Sequence, residues 1–279
     1  MRQLVALFLV IGISLGTGKG LYCLKKGFSS RRIHSLSLHT TDTFTEEAKA
    51  ALKQTFRFLG RGRQCFAFES EDGKYVLKFP RTDIYKTPFW ARVLPVKAYR
   101  GRLEKEHAKR EQFIVDSFHI AAKELQEQTA IVALHLGQSD SKEKLTVIDA
   151  MGCKHRLPLG KTSFVLQQKH PLWTKAFLSA LHQDKKDEAK KILEALVEII
   201  TERASKGVLN RDRSFLRNYG FDGQKAYQID VGSFFKNETM PLNAIYQKSL
   251  HDSIDPVQEW LSQIDPEMLE YLNAKLVAR

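Results

Sequence analysis

The sequence predicts an α+β protein of two lobes, with strands concentrated toward the amino-terminal side and helices toward the carboxy-terminal side. Three observations carry this expectation. Short apolar runs at 55–59, 65–70 and 75–79 have strand character, and Glu71-Asp72-Gly73 joins the last two as a hairpin turn. Further strand-like runs at 130–136, 145–150 and 163–168 follow a polar helix over about 102–126. From Asp184 to Lys206, Ala189, Leu193, Leu196, Val197, Ile200 and Ala204 recur at helical spacing, and Gly207 closes the helix. Strands, one helix, strands and then mostly helices is an α+β order.

Composition narrows the classes. With 279 residues, 43% of them apolar and 27% charged, the chain is neither disordered nor collagen-like nor a coiled coil. It is long enough for one large domain or two lobes with separate cores. Forty-four Lys and Arg against 32 Asp and Glu give a net charge of +12. Such a surface favours phosphates, nucleic acid or an acidic membrane leaflet. The three cysteines, Cys23, Cys65 and Cys153, are too few and too scattered for a disulfide framework or a zinc site. The nine histidines show no metal-binding spacing.

Along the chain, residues 1–18 hold an unbroken apolar run from Leu4 to Leu15 behind a short charged start. This reads as a hydrophobic leader, either a signal peptide or a membrane anchor, with a buried helix as the plain alternative. The bases that follow it, Lys19, Lys25, Lys26, Arg31 and Arg32, would keep the domain behind an uncleaved anchor on the cytoplasmic side. Secretion after cleavage is the alternative. Residues 19–42 are basic, rich in Ser and Gly and without periodicity, as in a linker. Thr43 and Glu46 form a capping box for a short helix ending near Gln54. Between Lys74 and Arg110 a basic, aromatic insert suits a solvated loop or an anionic membrane surface, with nucleic acid the least favoured partner. A hairpin is expected at 219–229 around Asp222-Gly223. Asp255-Pro256 and Asp265-Pro266 each look like a helix start.

Chemistry-bearing residues fall in four places. Gly60 and Gly62 lie in the turn between the first two strands, where a missing Cβ lets backbone amides approach a polyphosphate. Lys78 stands on the third strand between Leu77 and Phe79, and an ammonium there needs an anion or a route to water. Asn210-Arg211-Asp212 leads to Asn218 just before the hairpin, and Asp230-Val231-Gly232 follows it. One carboxylate as base, with an amide and a second carboxylate as oxygen donors, suits magnesium-assisted phosphoryl transfer.

These residues bear a resemblance. Residues 55–235 resemble a divergent, small bacterial-type member of the protein-kinase-like superfamily. Val76-Leu77-Lys78 is similar to that family's third-strand lysine motif, Asn210-Arg211-Asp212 to its His-Arg-Asp loop and Asp230-Val231-Gly232 to Asp-Phe-Gly. The resemblance implies a two-lobed fold, with an antiparallel five-stranded amino-terminal lobe over 43–169 and a reduced, mainly helical carboxy-terminal lobe over 170–279. It implies ATP and magnesium as cofactors and a hydroxyl of a small molecule, sugar or protein as acceptor. The need for ATP at this site favours the uncleaved anchor. Gly60 and Gly62 would cover the phosphates and Lys78 would hold them. Asp212 would be the catalytic residue, Asn218 and Asp230 the metal ligands, and Ser163–Lys169 the hinge beside adenine. Glu111 is preferred, over Glu104, Glu106 and Glu124, as the glutamate that pairs with Lys78.

The departures from the family pattern are specific. Cys65 replaces the third loop glycine, Asn210 the histidine, and Ser214 the lysine two residues after Asp212, leaving Arg213 and Arg217 as substitute phosphate contacts. Asn218 lies six residues after Asp212, where the family spaces five, and Arg217 holds the expected place. Only 47 residues follow Gly232 and no Ala-Pro-Glu motif is among them. A small-molecule or sugar kinase fits that length better than a conventional protein kinase. The alternatives are a pseudokinase that serves as a nucleotide-binding or interaction scaffold, and a basic protein of membrane surfaces or nucleic acid.

Overall fold

In a computed structural model of the chain, residues 20, 23–33, 35–36, 44–85 and 97–277 are described. The leader, Thr43 and residues 86–96 of the basic insert lie outside them. Two compact units share the chain. One takes the described residues up to 85 with Leu134–Leu166, the other those from 97 to Ala133 with Gln167 onward. The predicted α+β class is present.

The first unit is built on a sheet whose strand order is β4-β7-β3-β2-β1-β5-β6. Its strands are β1 Thr55–Arg61, β2 Cys65–Ser70, β3 Tyr75–Pro80, β4 Ile131–His135, β5 Lys144–Ile148, β6 Lys154–Pro158 and β7 Phe164–Gln168. Seven strands replace the expected five, and β5 runs parallel to β1, so the sheet is not wholly antiparallel. The strand that escapes sequence reading is β6, Lys-His-Arg-Leu-Pro, whose composition is poor for a strand interior but suited to an exposed edge. Ahead of the sheet, α1 (Glu46–Leu52) is capped by Thr45, whose hydroxyl accepts from the Ala48 amide at 3.2 Å.

Alternation decides the buried face. Phe66 and Phe68 of β2 point inward with Phe56 of β1 and with Leu77 and Phe79 of β3, all fully buried. The segment expected as a linker covers this face. Phe28, 2% exposed, meets the rings of Phe66 and Phe68 edge-on at 5.4 and 5.0 Å. Leu36 is buried beyond it, its amide shared between the Leu136 carbonyl and the Ser163 hydroxyl. Residues 23–33 and 35–36, the described part of that segment with residue 20, therefore form a strap. Three widely spaced apolar anchors, Phe28, Ile33 and Leu36, hold it without any regular periodicity.

The second unit is mainly helical. It contains α2 (Lys97–Lys123), α3 (Gln126–Thr129), α4 (Trp173–His182), α5 (Lys186–Ser205), α6 (Phe215–Asn218), α7 (Leu242–Ile264) and α8 (Pro266–Val277). The apolar stripe predicted on α5 is its core face, buried against α4, α7 and α8. Gly207 has φ of 73°, the left-handed turn that ends this helix. Asp265 caps α8 through the Met268 amide, as expected. Pro256 does not start a helix but sits inside α7. A proline there removes one hydrogen bond and crowds the preceding turn. Burial of Ile254, Val257 and Leu261 in the core outweighs that cost and keeps the helix continuous. Two small ladders complete the unit. The expected hairpin pairs β9 (Tyr219–Phe221) with β10 (Ala226–Gln228), and β8 (Val208–Asn210) pairs with β11 (Phe234–Lys236). Among the described residues, no helix is long and apolar enough to cross a membrane.

The strap carries a testable cost. Phe28→Ala removes a ring from a packed aromatic cluster and is expected to destabilise the protein by about 3–5 kcal/mol. Urea unfolding of the two proteins measures it, and a loss under 1 kcal/mol, on the order of an exposed-site change, would show that the strap does not contribute to the core.

Candidate functional site

In the first unit, a β-bulge sets the phase of the glycine turn. Phe58 pairs with Phe68, but Gly60 pairs with Ala67, so β1 has one extra residue, Leu59. Ala67 pairs in turn with Lys78 of β3. Gly60, Ala67 and Lys78 thus form one row across three strands, on the face opposite the buried phenylalanines. The two smallest side chains in that row stand beside its lysine. Lys78 is half-buried between Val76 and Pro80, both buried and both on its own face. Neither glycine is demanded by the fold. Their φ angles lie outside the left-handed region, a Cβ on Gly60 would meet nothing within 4 Å, and one on Gly62 would lie 3.5 Å from the Cys65 carbonyl.

In the second unit, the β8–β11 ladder joins two of the predicted motifs. Asn210 pairs with Phe234, and the Arg211 amide donates to the Ser233 carbonyl at 3.0 Å. Asp212 leaves β8 at the end where Asp230-Val231-Gly232 enters β11. Asn210 accepts from the Asp212 amide at 3.0 Å, and Asp212 Oδ1 accepts from the Ser214 amide at 2.8 Å. The third motif residue is joined across the hairpin, where the Ile229 amide donates to the Asn218 carbonyl at 2.8 Å. Asn218 is 4% exposed, and its Nδ2 has no partner among the described residues. Asp230 is exposed, and its Oδ1 lies 3.5 Å from the Gly232 amide.

The other predicted site residues are placed as follows. Glu111 is half-buried on α2, in the second unit. Arg213 is exposed and held by Asp252 at 2.6 Å, a carboxylate that also takes Lys248. Burial pushes the Asp252 carboxyl up, but Lys248 and Arg213 outweigh it and hold it below the usual range. Arg217 is exposed at the end of α6. Among the described residues, no three His, Cys, Asp or Glu side chains cluster to hold a metal. A carboxylate and a side-chain amide are nevertheless hard oxygen donors, and with phosphate oxygens they suit magnesium.

Three supporting residues escape the sequence reading. The Ser117 hydroxyl, fully buried on α2, donates to the Val231 carbonyl at 2.6 Å and accepts from the Phe234 amide at 2.7 Å. The Arg211 guanidinium lies over the rings of Phe113 and Phe235, at 4.2 and 4.9 Å from their centroids. Arg203, 1% exposed, donates to Tyr219 Oη, Gln228 Oε1 and Ser253 Oγ at 2.9, 2.6 and 3.2 Å. Tyr219 and Gln228 are the rung next to Asn218 and Ile229. A signal existed for two of these residues, since Ser117 and Arg203 both fall on the apolar stripe of their helices.

On the opposite face of the hairpin, His170 stacks on Tyr227 at 4.0 Å between centroids. Gly220 makes this approach possible, because a Cβ there would lie 2.7 Å from that of His170. Burial and the bond to Asp222 push the Tyr227 hydroxyl up to about 12. Burial lowers the His170 imidazole below its ordinary 6.5, against the opposing pull of Asp222.

No protein-family model matches the chain, and none of the curated proteins is similar to it. Solved structures of WbdD are similar. The bifunctional kinase-methyltransferase WbdD at medium resolution is 17% identical with a TM-score of 0.38, over 88% of this chain and 49% of that one. WbdD with the kinase inhibitor LY294002 is 17% identical with a TM-score of 0.38, over 78% and 45%. A 2.2 Å structure of WbdD gives 17% and 0.39, over 78% and 46%. The chain thus spans about half the length of these proteins.

Two outcomes follow from this geometry. Ser117→Ala strands a buried carbonyl and a buried amide and is expected to cost about 1–3 kcal/mol in denaturant unfolding. No loss would mean that the loop satisfies those groups another way. His170 binds fewer protons folded than unfolded, so its contribution makes stability rise as pH climbs from the lowered folded value through the ordinary 6.5. His170→Gln should flatten that rise on the acid side of the ordinary imidazole value, and an unchanged slope would show that the imidazole is not desolvated.

Proposed function

We propose that the chain is a phosphotransferase of the protein-kinase-like fold, which uses ATP and magnesium to phosphorylate a hydroxyl group. The observation that supports it most is the convergence in the second unit. The β8–β11 ladder sets the segment before Asp212 against the one after Asp230, and the Asn218–Ile229 bond ties Asn218 to the residue before Asp230, which supports a shared site.

In this reading, Asp212 orients the acceptor hydroxyl and takes its proton. Its second oxygen is available for that task, since Oδ1 is the atom that caps the turn at Ser214. Asp230 and Asn218 would hold magnesium, which would supply positive charge at the phosphates. Lys78 neutralises the α- and β-phosphates. Its apolar surroundings, Val76, Ala67 and Pro80, strengthen that attraction by limiting water. The amides around Gly60 and Gly62 cover the phosphates. The open space over Gly60 supports this role, because neither packing nor backbone strain requires glycine there. The acceptor is a small molecule, a sugar or a protein.

A second reading, a nucleotide-binding scaffold without turnover, has one observation in its favour. Asn218 is six residues beyond Asp212 and buried, while the exposed residue at the family's spacing is Arg217.

The melting temperature of the purified chain separates the readings. ATP and magnesium at about a hundred times the dissociation constant should stabilise by roughly 2.7 kcal/mol, a shift of about 5 °C or more. Asp230→Ala should abolish the magnesium-dependent part. Gly60→Ala should keep the ligand-free midpoint and shrink the shift. Asp212→Asn should keep the shift and lose turnover. A magnesium-dependent shift with no turnover on any hydroxyl acceptor would establish the scaffold. No shift at millimolar ATP would sink both readings.

A further inference from the structure

The strap and the β5–β6 turn form one end of the first unit. Lys25 Nζ lies 3.7 Å from Asp149 Oδ2, and the Phe28 ring meets His155 edge-on at 5.4 Å. The turn itself is pinned by Asp149, whose Oδ1 accepts from the Met151 and Cys153 amides and whose Oδ2 accepts from His155 at 2.8 Å. This one acid is buried and fully engaged, so it projects no charge outward.

What this end does project is basic and apolar. Leu24 and Met151 are 62% and 41% exposed, large apolar side chains on the strap and the turn respectively. Lys26 and Arg31 on the strap and Lys154 and Arg156 on β6 are exposed, and none has a carboxylate partner among the described residues. Lys154 and Arg156 pair with Ile148 and Thr146, so both point from the same outer face of the sheet. The other acid beside the strap, Asp83, is taken by Arg32 and Arg81. In sequence, the apolar run Leu4–Leu15 ends four residues before Lys19 and nine before Leu24.

We propose that this end of the first unit docks on the anionic surface of a lipid bilayer. Two exposed apolar tips enter the headgroup layer and four unpaired bases meet acidic lipid headgroups. The argument is charge complementarity together with the position of the apolar run. A strap that is anchored in the core by Phe28 and reaches Asp149 through Lys25 stays beside the turn, so Leu24 and Met151 are presented together, with Lys26 and Arg31 on the strap and Lys154 and Arg156 on the other face of the sheet. Anionic lipid rewards such a cluster, because each base near the surface contributes on its own and the contributions add. The proposal does not depend on the kinase reading.

The test uses the full chain with single native cysteines. Cys23 and Cys153 are both exposed, one at the strap's start and one on the turn, and each takes an environment-sensitive fluorophore with the other cysteines changed to serine. Ser262→Cys, exposed on α7, is the control. With vesicles of phosphatidylcholine and phosphatidylglycerol, both native probes should shift to the blue while the control stays fixed. Lys26→Asp with Lys154→Glu and Arg156→Glu should weaken the titrated affinity by about a hundredfold, since each base is worth about fivefold. The same triple variant should keep its melting response to ATP and magnesium, which separates a failure here from a failure of the phosphotransferase reading. An equal shift on phosphatidylcholine alone, an equal response of the control probe, or a larger response to duplex DNA than to acidic vesicles would overturn the proposal.

Discussion

The loop that carries Asp230 turns sharply between the hairpin and β11, and a turn of that kind leaves backbone groups that no strand neighbour can satisfy. The hydroxyl of Ser117 takes both, as donor to the Val231 carbonyl and acceptor from the Phe234 amide. Because all three residues are buried, each bond is made where water cannot substitute, and losing one exposes the full desolvation cost. The position of Asp230 is therefore set by α2, a helix more than a hundred residues earlier in the chain. Arg211 adds a second tie between the same elements by lying between Phe113 of α2 and Phe235 of β11. Lys236 and Glu124 form an ion pair beyond it. Polar and aromatic contacts of this kind fix direction more than they add stability, which is what a site with two carboxylates needs.

The hairpin is fixed by a different device. Arg203 is a buried charge with neutral partners only among the described residues, a costly arrangement unless the hydrogen bonds are well made. Its three partners come from β9, β10 and α7, so one guanidinium joins the hairpin to the helical core. The rung it grips, Tyr219 with Gln228, is the one adjacent to Asn218 and Ile229. The hairpin's other face depends on Gly220, the single position there where a Cβ would collide with His170 and Pro171. One face of the hairpin thus belongs to the helical core and the other packs on His170 and Pro171.

Much of this is legible in the sequence, and the parts that are not share a cause. Strands β1 to β3 and the stripe on α5 follow from local alternation, because one face of each is buried and the pattern must show it. Lys78 stood out for the same reason, as a charge between buried apolar neighbours. The edge strand β6 did not, since a strand with a solvated edge and face is free to use Lys, Arg and Pro. The strap was read as a linker because its anchors are few and irregular; nothing periodic distinguishes Phe28, Ile33 and Leu36 from loop residues. Pro256 misled for a converse reason: a strong local stop signal was overridden by the packing of Ile254, Val257 and Leu261. Asn218 was identifiable by type and neighbourhood, but its burial depends on the turn of α6, which spacing alone does not reveal.

The positive charge of the second unit's site can be apportioned residue by residue, and this narrows an ambiguity in the sequence. Four arginines lie between 203 and 217, all formally able to meet a phosphate. Arg203 is buried and committed to the hairpin. Arg211 is committed to two aromatic rings, a geometry that uses its flat faces and anchors a strand. Arg213 is drawn to Asp252, which also takes Lys248, so its charge is largely compensated. Arg217 alone of the four is exposed with no carboxylate or ring partner among the described residues, its amide closing the turn to Ser214. It lies five residues after Asp212. Under the proposed chemistry a cation at that position and an asparagine one residue later divide a single task, with the guanidinium meeting phosphate oxygens and the amide meeting the metal. Under that reading the extra residue would supply the charge that a lysine at the position of Ser214 would otherwise provide.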